Sequence, residues 1–158
     1  MPNKVKISIE SFGYTNVREF ESLVIPEAGS TFASKGVNLL QIQNGYGKTT
    51  KLYLLRALFT NIPIPEEHLE GYGYRRDHGR WGGDPDGAVT FQVKLNISSS
   101  EGEETCTLGI DIDPIGKEQA FWTSRSKLGG RKEEWRPPLE FSRLFEGKDQ
   151  FATLFLLD

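Results

Sequence analysis

With 158 residues, 37% of them hydrophobic and 26% charged, the chain is long enough for one domain with a real core and has ordinary globular composition. A net charge of −3 excludes bulk attraction to nucleic acid, so any contact with a phosphate backbone must come from a local patch. A single cysteine excludes an internal disulfide, no apolar run reaches the roughly 18 residues of a membrane span, and MPNKVKISIE lacks a signal-peptide core, so the expectation is a cytoplasmic protein.

In chain order, KVKISIESF alternates Val5, Ile7 and Ile9 against Lys4, Lys6, Ser8 and Glu10, the pattern of a half-buried strand. A turn is expected at Gly13 to Asn16, with VREFESLVI as the antiparallel partner and PEAGSTFASKG as a loop. VNLLQI suits a strand covered on both faces. TKLYLLRALF places Leu52, Leu55, Leu58 and Phe59 along a helix face, and Asn61, Pro63 and Pro65 end that helix. The stretch EEHLEGYGYRRDHGRWGGDPDG is too glycine-rich and charged for core. Three strands follow, AVTFQVKLNIS, ETCTLGIDID and QAFWTSRS, with Cys106 in the second read as a small buried residue. LGGRKEEW reads as a loop, and PPLEFSRLF as a short helix with proline in its first turn. Trp122 and Trp135 are expected to pack on the strands. The chain closes on the apolar run FATLFLLD. Ending there, it reads as a piece truncated before a further segment.

The chemistry concentrates in LLQIQNGYGKTT, residues 39–50. The phosphate-binding pattern is G-x-x-x-x-G-K-[ST], and its first glycine falls at Ile42. A β-branched residue disfavours positive φ, so Ile42 extends the preceding strand. The phosphate cradle lies further on. Gly45 and Gly47 let backbone amides turn inward around phosphate oxygens, Lys48 brings a point charge to the outer phosphates, and the Thr49 hydroxyl is placed to ligate Mg²⁺. The helix behind the loop aims its N-terminal amides at the same anion. The candidate nucleotide-binding set is therefore Asn44, Gly45, Tyr46, Gly47, Lys48, Thr49 and Thr50. The expected fold is mixed α/β, of P-loop NTPase type, with the P-loop helix packed against a sheet and an antiparallel β-lobe beside it.

Asn-Gly-x-Gly-Lys-Thr-Thr resembles the loop of SMC-type and SbcC-type ATPase heads, where G-x-N-G-x-G-K-[ST] opens the helix. KISIESFGYTNVREFESLVI is similar to the first two strands of those heads. TLFLLD resembles the strand after the β-lobe in DndD proteins of DNA phosphorothioation systems, which puts Asp158 at the Q-loop-like position. Ile42 and Tyr46 depart from the family pattern, which has glycine at the first position and a small residue at the second. The resemblance implies the N-terminal part of a head over residues 1–158. Within it fall a P-loop strand, loop and helix over 37–60, a β-lobe over about 87–125, and a closing helix and strand over 137–158, before a coiled coil. It implies ATP and Mg²⁺ as cofactors, with Lys48 and Asp158 as catalytic candidates and Thr49 and Asp158 as metal candidates. It also implies DNA, the chain's own C-terminal lobe, a second head, and other modification or defence proteins as partners, with no membrane. Hydrolysis would then need the dimerised full-length head.

Two other readings stand beside this one. In a transporter-type ABC domain, KLGGRK would be the signature and LFLLD the Walker B strand; Gly129 in place of the signature serine and Pro137-Pro138 after it count against this. A degenerate scaffold module is argued for by Ile42 alone. The basic stretches Tyr74 to Arg80 and Ser124 to Lys132 could touch phosphate, although charge runs more often serve as solvated loops. His68 and His78 lack zinc-finger spacing, so no metal beyond Mg²⁺ is expected.

Overall fold

A computed structural model describes residues 6–17, 20–32, 48–69, 89–113 and 117–136. Their main feature is a six-stranded antiparallel sheet of order β2-β1-β3-β4-β5-β6. The strands are β1 (Lys6–Val17), β2 (Phe20–Ile25), β3 (Val89–Ser99), β4 (Gly102–Ile112), β5 (Gln119–Arg125) and the two-residue β6 (Glu133–Glu134). Helix α1 (Lys48–Thr60) packs on one face, followed by the single turn α2 (Glu66–Leu69). The described residues are thus mostly sheet, and no helix among them is long and apolar enough to cross a membrane. The expected antiparallel lobe is present, but it does not lie beside a separate first hairpin. β1 and β2 belong to the same sheet, because β1 pairs with β3 from Lys6 to Thr15.

The sheet forms where alternation is strongest. Val89, Phe91, Val93, Leu95 and Ile97 of β3 all point to the helix side and are buried. Their register partners Ile112, Ile110, Leu108 and Cys106 of β4 are buried on the same side. Each such side chain contributes about 1.5–3 kcal/mol relative to exposure, which makes the β3–β4 pair the centre of the core. Cys106 is a buried free thiol, as its place in a strand implies.

The turn expected at Gly13 to Asn16 is not there. β1 runs on to Val17, and Val17 pairs with Phe20. Gly13 is a strand residue between Val24 and Gln92, and a Cβ on it would sit 2.7 Å from the Leu23 carbonyl oxygen. Its role is close backbone approach rather than a bend. The irregularity in β1 lies earlier, where the register shifts between Ile9 and Ser11 and Glu10 bulges out.

α1 also differs in rotation from the expected stripe. Leu52 is 51% exposed, and the buried face is formed by Lys51, Leu54, Ala57 and Leu58. The helix ends where the sequence stops it. Thr60 Oγ1 donates to the Arg56 carbonyl at 2.7 Å, Asn61 takes φ 54°, and two prolines follow in quick succession. Leu69 lies near the start of the stretch whose glycine and charge content argue against core, yet it is fully buried. Four residues, Glu66–Leu69, form a helical turn that presents this one apolar side chain inward.

Candidate functional site

α1 begins at Lys48, directly behind Gly47 of the candidate loop. The backbone of Lys48, Thr49 and Thr50 therefore forms the first helical turn, where amide N–H groups have no intrahelical acceptor. No acidic residue lies in that turn to compete with an anion. Asn44, Gly45, Tyr46, Gly47 and Ile42 lie outside the described residues, as do Asp158, the 37–42 strand, the closing 137–158 segment and the basic stretch Tyr74 to Arg80. The structure thus has the helix at the predicted position, and of the catalytic candidates Lys48 and Asp158 only Lys48, through its backbone, falls among the described residues.

One residue near the loop has no counterpart in the sequence reading. Lys51 lies one turn into α1 on its buried face, 5% exposed, with Nζ 5.3 Å from the ring centroid of the buried Tyr14 in β1. An apolar stripe would not include it, so periodicity directs attention to the leucines. The signal that could have found it is spacing: positions 51, 54 and 58 share one helix face.

The C-terminal half of α1 is tied to the far side of the sheet. The indole N–H of Trp135 donates to the Leu58 carbonyl at 3.0 Å. Beyond the helix, the Ile64 N–H donates to Gln119 Oε1 and Gln119 Nε2 donates to the Ile64 carbonyl, both at 2.8 Å. Lys117 reaches Glu66 at 3.6 Å between exposed side chains. Trp135 and Trp122 both pack on the strands as expected, each nearly buried.

In the second basic stretch, Ser124 to Lys132, Arg125 and Lys132 are engaged in internal contacts, and Lys127 and Arg131 are exposed. Arg125 grips the buried Glu104 with two bonds, Nε to Oε1 at 3.0 Å and Nη2 to Oε2 at 2.6 Å. The hydrogen bonds from Arg125 hold the Glu104 carboxyl below its usual value against the opposing effect of burial, and the positive charges of Arg125 and Lys127 lower it further. Lys132 bonds Asp111 Oδ2 at 2.8 Å and stands 4.3 Å over the ring of Trp122. Within this stretch Ser126–Leu128 forms one 3-10 turn, and Gly129 and Gly130 follow with φ 76° and 70°. KLGGRK is thus the connection from β5 to β6, and it opens no helix.

No protein-family model, curated protein or solved structure matches the chain.

Proposed function

We propose that the chain is the ATP-binding N-terminal lobe of a DNA-associated, SMC-like ATPase head acting in DNA phosphorothioation, repair or phage defence. The observation that carries this reading is the start of α1 at Lys48, immediately after Asn44-Gly45-Tyr46-Gly47 and free of acidic residues in its first turn. A glycine-rich stretch that leads into a helix through Lys-Thr is the context that makes the motif a phosphate site. The finer fold proposed here is a P-loop NTPase head; it rests on the motif and its helix, and the mostly antiparallel sheet of the described residues fits it poorly.

In this reading Gly45 and Gly47 leave the loop amides open to the phosphates, and the Lys48 ammonium neutralises the outer ones. Thr49 would hold Mg²⁺ through its hydroxyl, with Asp158 as the second, Q-loop-like contact. The ion supplies charge neutralisation between the outer phosphates when bound. DNA, a C-terminal lobe and a second head are the partners of the full-length protein.

The transporter reading is less well supported. A signature motif has to head a helix to aim amides at a phosphate, whereas KLGGRK forms the β5–β6 turn. The scaffold reading keeps Ile42 as its only argument.

Titration of a labelled ATP analogue against wild type and Lys48→Ala, with thermal melts of both, tests the proposal. Loss of binding in a folded Lys48→Ala is expected. Unchanged affinity in the folded variant would remove the nucleotide assignment.

A further inference from the structure

We draw no further inference here: the strongest candidate, the outward apolar flank of α1 and the loop after it, where Leu52, Tyr53 and Ile62 are exposed, carries nothing because nothing in the structure shows what covers it.

Discussion

Trp135 and Leu58, far apart in the chain, meet through one hydrogen bond: the indole Nε1–H donates to the Leu58 carbonyl at 3.0 Å in a buried setting. Leu58 lies in the last turn of α1, where carbonyls have no intrahelical donor. The tryptophan satisfies one of these from outside and fixes the end of the helix to the segment that follows β6. By contrast Trp122, equally buried, has no partner for its Nε1–H among the described residues.

The two tryptophans are therefore predicted to respond differently to the same change. Trp135→Phe removes a buried bond and orphans the Leu58 carbonyl, at a cost of about 1–3 kcal/mol. Trp122→Phe removes ring area but no hydrogen bond, so its cost should be smaller by about 1 kcal/mol. Urea unfolding of both variants measures the difference. Equal costs would mean that the Trp135 bond contributes nothing net.

Gly109 is predicted to tolerate no side chain. It faces Trp122 across β4 and β5, and a Cβ there would lie 2.1 Å from ring atoms Cε2 and Cζ2. The indole cannot lift freely, because Lys132 stands over it while bonded to Asp111, which also accepts from Thr90 Oγ1 at 2.9 Å. Gly109→Ala should cost about 1–3 kcal/mol as an overpacking change and shift tryptophan emission. A variant within 0.5 kcal/mol of wild type, about the noise of a surface change, would contradict this.

Sequence made the sheet's centre legible and its surroundings less so. β3 alternates without exception across its buried face and β4 does so from Cys106 to Ile112, and a period of two admits only one reading. The end of α1 was legible through Asn61 and the prolines, which act locally. The helix's rotation was not, because leucines at 52, 54, 55 and 58 offer two overlapping stripes and only packing selects between them. Gly13 misled for a similar reason. A strand glycine and a turn glycine look alike until the neighbouring strand is in place. At the candidate site the loop motif predicted where the helix starts, but Lys51 escaped because its meaning comes from Tyr14, a contact between β1 and α1.

Residues 1–158 alone are predicted to show no ATP turnover above background, with Mg²⁺ and DNA supplied. Hydrolysis needs a positioned water, a base or water-orienting residue, and charge stabilisation at the γ-phosphate. In the proposed site Lys48, Thr49 and Mg²⁺ provide part of the last requirement only, and Asp158 would hold metal or water rather than act as base. A phosphate-release assay checks this. Turnover that persists through further purification and vanishes in Lys48→Ala would show a catalytically complete chain.

The Glu104–Arg125 pair makes a pH-dependent contribution whose sign follows from its geometry. Glu104 lies at 6% exposure on the helix side of β4, opposite Ile97, and accepts two bonds from Arg125 on the neighbouring strand. These hydrogen bonds first, and the nearby positive charges after them, hold its folded-state value below the ordinary 4.5 despite burial. The native state thus binds this proton less readily than the unfolded chain does. Stability from the pair is fully present above the unfolded value and is lost as pH falls through the depressed folded one. Glu104→Gln keeps the shape but removes the charge, and should cost about 1–2 kcal/mol at neutral pH, since the guanidinium is partly exposed and water screens it. Denaturant unfolding of wild type and Glu104→Gln from pH 8 down to pH 3 is the measurement. The gap between them should be constant down to about pH 5.5 and narrow below the ordinary carboxylate value. A gap that persists unchanged in acid would mean that the glutamine's altered packing, and not the lost charge, sets the cost.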